Sequence, residues 1–254
     1  MIWLFRFLFV FLFSIFGYLI GAIPNSVIIG KLFFHKDPRD YGSHNAGGTN
    51  AGRVLGKKAG VIVILLDGLK IVVPFYIVFF LLKKTMFFLN LMNDGFELNA
   101  FGLGNTISDL ALYLTALSGI IGHCYSIYLR FSGGKAVSTY LGTACCISYF
   151  TFPLCGSLFF GILKCKKFVS LSSLISTSAF TIFSWIIYIT YSFNFNNLKI
   201  INILNNFLWF GYGPNISIYM PIVMTIASII LIIKHIPNIH RLENKSESKI
   251  HWMK

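Results

Sequence analysis

Four stretches of this chain, at roughly 7–29, 59–82, 168–190 and 216–234, are dominated by apolar side chains. Each reaches the run of about eighteen residues or more that reads as a helix able to cross the hydrocarbon of a bilayer. A fifth stretch near 110–130 is similar but interrupted by Gly and Ser. Of all residues 56% are apolar and only 11% charged, against about 25% charged in soluble domains. The chain therefore reads as one membrane domain over 1–254, and the soluble-enzyme classes are excluded.

Lys and Arg number 21 against 8 Asp and Glu, a formal charge of +13. In a membrane protein such an excess reports loops kept in the cytoplasm. Nucleic-acid binding would need a basic soluble face, and none is present. The five cysteines, Cys124, Cys145, Cys146, Cys155 and Cys165, are odd in number, with no C-x-x-C pair and no His at metal spacing. Neither a disulfide framework nor a metal site is expected. The apolar run after Arg6 continues to about Ile29, longer than the roughly 7–15 residues of a secretory h-region. It reads as a retained first span.

The basic residues also set the topology. Lys31, Lys36, Arg39, Arg53, Lys57 and Lys58 mark one cytoplasmic loop, Arg130 and Lys135 a second, Lys164, Lys166 and Lys167 a third, and Arg241, Lys245, Lys249 and Lys254 a tail. Residues 85–129 hold no Lys or Arg but do hold Asp94, Glu97 and Asp109, so this loop faces outside. Parity then requires two crossings between 136 and 164, turning near Pro153. Each leg is shorter than the roughly twenty residues of a full span, so two short, protein-packed helices are expected. One tilted helix is the competing reading. The expectation is an all-α integral membrane protein with seven transmembrane helices, two of them short, the N-terminus outside and the C-terminus cytoplasmic. Arg6 at the outer end argues against this orientation. Motif loops fall near 35–58, 130–136, 164–168 and 235–254, and external insertions near 84–108 and 191–215.

The first loop runs from Tyr41 through Gly42, Ser43, His44, Asn45, Gly47, Gly48, Thr49 and Asn50 to Arg53, Gly56, Lys57 and Lys58. Glycines let backbone amides turn inward to form an anion nest. Ser43, Asn45, Thr49 and Asn50 add neutral hydrogen-bonding groups, and Arg53 adds a planar fork that fits phosphate. A plain solvated loop is the competing reading. A Walker loop is excluded, because Ala51 and Lys58 break its pattern. In the second loop Gly133, Gly134 and Lys135 again suit an anion. Asp67 and Lys70, three residues apart inside a span, share a helix face. They read at least as well as an ion pair facing the bundle as they do as catalytic groups. His35 and Asp40 form an H-x-x-x-x-D, the spacing of a class of acyl-CoA-dependent acyltransferases, but Pro38 breaks any helix that would join them.

Together these loops resemble the bacterial acyl-phosphate-dependent glycerol-3-phosphate acyltransferases, often called PlsY. The family's first loop, G-S-G-N-x-G-A-T-N-x-x-R-x-x-G-K-K, matches Gly42, Ser43, Asn45, Gly47, Thr49, Asn50, Arg53, Gly56, Lys57 and Lys58. Its G-x-I-P matches Gly21, Ile23 and Pro24, and its D-x-x-K-G matches Asp67 and Lys70. The second loop, G-H-x-x-P-x-x-x-x-F-x-G-G-K-G, matches Gly122, His123, Phe131, Gly133, Gly134 and Lys135. A short V-S-L is similar to Val169, Ser170 and Leu171. The tail H-x-x-N-I-x-R-L with a following Glu matches His235, Asn238, Ile239, Arg241, Leu242 and Glu247. The departures are His44, Ile71, Ala136 and Lys245 where the family has Gly, Gly48 where it has Ala, and Ser126 where it has Pro.

The resemblance implies a multi-pass enzyme of the bacterial plasma membrane with its active site on the cytoplasmic face. It implies transfer of an acyl group from acyl phosphate to the 1-hydroxyl of glycerol 3-phosphate, giving 1-acylglycerol 3-phosphate and phosphate in phospholipid synthesis. Ser43, Arg53 and Lys135 would be catalytic. Gly42, Asn45, Gly47, Thr49, Asn50, Gly133, Gly134, Ser170, His235 and Asn238 would bind substrate phosphate, supported by Asp67, Lys70, His123, Arg241 and Glu247. No cofactor, metal or nucleic acid is expected. The partners would be the two substrates, membrane lipids and an upstream enzyme that makes acyl phosphate. A transporter of a phosphorylated metabolite is the rival reading. It would share the spans and anion loops, but the internal repeats common in transporters are absent.

Overall fold

The computed structural model describes residues 2–92, 107–147, 151–192 and 216–250. All regular structure among them is helical. The helices are α1 (Ile2–Gly21), α2 (Asn25–Phe34), α3 (Gly48–Val54), α4 (Lys57–Lys84), α5 (Met86–Met92), α6 (Ile107–Cys124), α7 (Val137–Ile147), α8 (Thr151–Lys166), α9 (Val169–Ser192) and α10 (Tyr219–Glu243). Among the described residues five segments are long and apolar enough to cross a membrane: α1 with α2, α4, α6 with the turn that follows it, α9 and α10.

Where two short crossings are expected between 136 and 164, the structure has two helices, α7 and α8. Pro153 lies in the first turn of α8, where its missing N–H is harmless, and not at the bend between the helices. Of the two expected insertions, 93–106 and 193–215 lie outside the described residues. The first insertion begins with a helix, α5.

Side chains sort by solvent as a bilayer requires. Leu65, Phe80, Ile182 and Ile186 are exposed, whereas Ile71, Phe75, Tyr113, Tyr140 and Met224 are buried between helices. Lipid is as apolar as Leu, so close backbone approach takes over from hydrophobic burial as the main helix adhesive. Small residues supply it. A Cβ on Gly21 would collide with the Gly119 backbone, joining α1 to α6, and one on Gly142 would strike the backbone of Gly68, joining α7 to α4.

Two polar devices shape the entry to the bundle. The Ala22–Pro24 break ends α1, and the Lys70 ammonium donates to the freed Ile23 carbonyl at 2.8 Å. At the other end of α1, Arg6 is buried. It donates from Nε to the Leu91 carbonyl at 2.7 Å and stacks 4.7 Å from the Trp3 ring. A cation at the last carbonyls of α5 is favourable, which gives Arg6 a structural reason to stand there whichever side of the membrane that end faces.

Candidate active site

The first loop is folded by one side chain. Asn50, buried at the start of α3, accepts from the Ser43 amide at 2.8 Å. Its own amide nitrogen donates to the carbonyls of Pro38 at 2.7 Å, Tyr41 at 3.1 Å and Asn45 at 3.1 Å. That amide is committed to the loop, so Asn50 positions Ser43 more than it offers groups to a ligand. Gly42 takes φ +65, and a Cβ there would press on the Asn50 side-chain oxygen, so the turn requires glycine. Ser26 donates to the Ala46 carbonyl at 2.7 Å and ties the loop to α2.

The second loop is laid against the first. Asn45 donates to the Gly133 carbonyl at 3.4 Å. The Gly134 amide donates to the His123 carbonyl at 3.0 Å, and a Cβ on Gly134 would strike the His123 ring. Gly133 and Gly134 thus allow the loop to cross the end of α6, and Lys135 beyond them reaches the cavity. Ser126 donates to the Ala22 carbonyl at 2.6 Å, satisfying a carbonyl at the end of α1. His44, Ala136 and Lys245, all expected as glycine by the resemblance, have φ of 53°, 66° and 56°. The left-handed region is where glycine is favoured, which explains the family's preference there.

The third element is α10. It does not stop at the lysine that ends the apolar run. It carries Pro237 and continues to Glu243, so His235, Asn238 and Arg241 repeat every third residue along one helix face. The His235 Nδ1 contacts the Leu231 carbonyl at 2.8 Å. A carbonyl only accepts, so Nδ1 carries the hydrogen and Nε2 is left as an acceptor. Segment 244–250 then folds back across the site. Glu247 accepts at Oε1 from Asn238 at 2.7 Å and from Ser170 at 2.9 Å, and at Oε2 from Arg241 at 2.7 Å. The segment is held by the buried Ile250, whose amide donates to the Lys167 carbonyl at 2.9 Å. Arg53 donates to the Ser248 carbonyl at 3.4 Å.

These elements enclose a cavity of about 170 Å³, a little larger than a cavity of about 150 Å³ known to admit benzene. Ser43, Asn45, Gly47, Thr49, Asn50 and Arg53 line it from the first loop and α3, Lys135 from the second loop, and Ser170 from the start of α9. His235, Asn238, Arg241 and Glu247 close it from α10 and the segment after it, and Asp67 and His123 line it from α4 and α6. Gly42, Gly133, Gly134 and Lys70 stand behind this lining. His35 and Asp40 are exposed and do not line the cavity. The sequence did not single out its apolar wall, where Ile64, Tyr140, Leu141, Cys155, Phe159 and Phe160 extend it between α4, α7 and α8. Spaced aromatic residues there look like any lipid-facing helix, so no sequence signal marks them.

The polar end is electropositive. Arg53, Lys135 and Arg241 gather around the Glu247 carboxylate, and neither Arg53 nor Lys135 has a carboxylate partner among the described residues. Burial lowers the Lys135 ammonium to about 8, aided by the neighbouring Arg241 and Arg53 charges and opposed by Glu247. Burial likewise lowers Arg53. Burial pushes Glu247 up, but the hydrogen bonds from Arg241, Asn238 and Ser170 outweigh it and leave the carboxyl below its usual range. The result is a partly desolvated cationic head joined to an apolar wall, suited to a phosphate that carries or receives an acyl chain.

Known proteins share this plan. The glycerol-3-phosphate acyltransferase family model matches residues 11–245. A glycerol-3-phosphate acyltransferase of Staphylococcus haemolyticus is 39% identical over 239 residues, covering 94% of this chain and 96% of the relative. One of Staphylococcus aureus strain Newman is 36% identical over 237 residues, covering 93% and 96%. The crystal structure of PlsY, an integral membrane glycerol 3-phosphate acyltransferase, in its glycerol 3-phosphate form superposes with a TM-score of 0.69 at 27% identity, covering 95% of this chain and 96% of that one. The lysophosphatidic acid form gives 0.67 at 25% identity, with 96% of each chain covered. A motif match along nearly the whole chain, one cationic cavity built from those motifs and a shared helical plan agree: the chain belongs to the glycerol-3-phosphate acyltransferase family.

Proposed function

We propose that this protein transfers an acyl group from an acyl phosphate to the 1-hydroxyl of sn-glycerol 3-phosphate, releasing 1-acylglycerol 3-phosphate and inorganic phosphate. The observation that carries this reading is the convergence of Ser43, Arg53, Lys135, Ser170, His235 and Asn238 from separate segments onto one cavity with an apolar wall. Both substrates bring phosphate to cations, and the donor also brings a chain that suits the wall. The hydroxyl attacks the acyl carbon, the bond from that carbon to the phosphate oxygen breaks, and the hydroxyl proton passes to a phosphate oxygen. An acyl phosphate is already activated, so the protein's contribution is positioning and charge stabilisation. The Arg53 fork and the Lys135 point charge hold phosphate, Ser43 donates its hydroxyl, Ser170 holds the Glu247 carboxylate in place, and segment 244–250 limits water access.

The same reading makes α7 and α8 two short crossings, for seven spans in a bacterial plasma membrane with the N-terminus outside and the cavity on the cytoplasmic face. The basic clusters beside the cavity support it.

The test is phosphate release by purified protein given acyl phosphate with and without glycerol 3-phosphate, beside acyl-CoA as a rival donor. Release that depends on glycerol 3-phosphate is expected. Turnover with acyl-CoA and none with acyl phosphate would overturn the donor. Arg53→Lys keeps the charge and loses the fork, so it is expected to lower kcat/KM by on the order of 10²-fold. Lys135→Arg is expected to be milder.

A further inference from the structure

Asp67 lies on α4 at the edge of the cavity, 1% exposed. Its two carboxylate oxygens are used differently. Oδ1 accepts from the Asn25 amide at 3.0 Å and from the Lys70 ammonium at 3.0 Å, with His123 Nδ1 at 4.0 Å. Oδ2 is buried and has no hydrogen-bond partner among the described residues. Buried polar atoms are almost always paired, and an anionic oxygen most of all. An unpaired one beside a ligand cavity identifies the kind of group the ligand must bring.

That group is a donor. A phosphate oxygen would meet Oδ2 with like charge, and an acyl chain offers it nothing. The remaining chemistry in the acceptor substrate is its two hydroxyls. The reacting hydroxyl loses its proton as the ester forms, so it cannot remain a donor through the reaction. The other keeps its proton from binding to release. Lys70, on the same helix face, balances the carboxylate charge, which suits Asp67 to hold a proton donor in place rather than to remove its proton.

We infer that Asp67 Oδ2 accepts a hydrogen bond from the non-reacting 2-hydroxyl of glycerol 3-phosphate and so selects the acceptor and orients its 1-hydroxyl. The Asn25–Lys70–His123 surroundings hold the carboxylate for this task. The inference rests on the acceptor assigned under Proposed function and does not depend on the acyl donor.

The test compares sn-glycerol 3-phosphate with 3-hydroxypropyl phosphate, which lacks only the 2-hydroxyl. Calorimetric binding of each to the detergent-solubilised protein needs no donor, and kcat/KM with acyl phosphate is measured beside it. A site built around a substrate hydroxyl rejects the molecule lacking it, so the wild type is expected to favour glycerol 3-phosphate by on the order of 10²-fold. Asp67→Asn keeps Oδ1 for Asn25 and Lys70 and replaces only the other oxygen. It is expected to bring the two acceptors within about fivefold of each other. A wild type that binds both equally would overturn the assignment without any variant, and so would full discrimination retained by Asp67→Asn. Discrimination in binding without phosphate release would overturn the acyl phosphate donor and leave Asp67 standing. A purely structural Asp67 would weaken both acceptors together and leave their ratio unchanged, which also overturns the assignment.

Discussion

The Lys135 ammonium donates to the Asn238 side-chain oxygen at 2.5 Å. That oxygen faces Lys135 because the amide nitrogen on the other side of Asn238 is taken by Glu247 at 2.7 Å. Glu247 thus fixes which end of the Asn238 amide the lysine meets, although Glu247 makes no hydrogen bond to Lys135 among the described residues.

Removing this orientation has a measurable effect. Glu247→Ala frees the Asn238 amide to turn and leaves Arg241 and Ser170 without their acceptor. A hydrogen bond to a charged group is worth about 1.5–3 kcal/mol, so a loss of roughly 10–100-fold in kcat/KM is expected. Glu247→Gln keeps one oxygen for Asn238 and is expected to retain more activity. Steady-state kinetics of the two variants, with limited proteolysis at Lys245 to report release of segment 244–250, checks this. Equal activity in both variants and wild type would remove Glu247 from the site.

The lowered Lys135 ammonium sets a pH limit. Its ordinary value lies near 10.5 and burial brings it to about 8, so the charge is present below that pH and lost as pH rises through it. Glycerol 3-phosphate is already largely dianionic there, its second ionisation lying near about 6. The alkaline limb of kcat/KM, which reports the free enzyme, is expected to fall from about pH 8 and to disappear in Lys135→Arg, because Arg stays charged. A limb that persists unchanged in Lys135→Arg would assign the titration to another group.

Ala136 is fully buried at φ 66° and precedes the first turn of α7. The left-handed region costs an L-residue about 1–3 kcal/mol. Glycine removes that strain and is a better helix N-cap than alanine, against an unfolded-state entropy of about 0.4–1 kcal/mol. Ala136→Gly is therefore expected to raise thermal stability by a few degrees. Ala136→Val, β-branched in the same backbone, is expected to lower it. Thermal unfolding in detergent measures both, and a destabilised Ala136→Gly would contradict this account of the loop.

What the sequence disclosed follows from how each residue earns its place. Arg53 and Lys135 are rare charges beside glycines in an apolar chain, so they stand out as candidates in composition and spacing, whereas Glu247 stands out only through the family resemblance. The break of the segment 136–164 into two helices, α7 and α8, was anticipated only through the parity of basic clusters, since neither helix has the length of a span. The continuation of α10 past Lys234 was not legible. Pro237 reads as a helix stop, and only packing around the cavity shows His235, Asn238 and Arg241 as one helical face. The interior roles of Asn50, Gly133 and Gly134 were also hidden, because loop scaffolding and ligand binding call for the same residue types. Phe159, half-buried beside the cavity, differs from lipid-facing Ile182 only by what stands opposite it.

Cys165 offers a direct check on the two short helices. It is an exposed free thiol near the end of α8, whereas Cys124, Cys146 and Cys155 are buried and Cys145 is half-buried. If α7 and α8 each cross the membrane, Cys165 lies on the cytoplasmic side with Lys164, Lys166 and Lys167. A membrane-impermeant maleimide added to intact cells is then expected to leave it unlabelled, and to label it once the membrane is permeabilised. A protein with Cys165→Ser alone supplies the background, and Cys165 does not line the cavity, so activity is expected to persist in it. Labelling of Cys165 in intact cells would place the lysine cluster outside and reduce the crossings between α6 and α9 to one. It would also put Ser170, at the start of α9, on the opposite side from Lys135, in conflict with their shared cavity. The labelling result therefore tests the topology and the assembly of the site together.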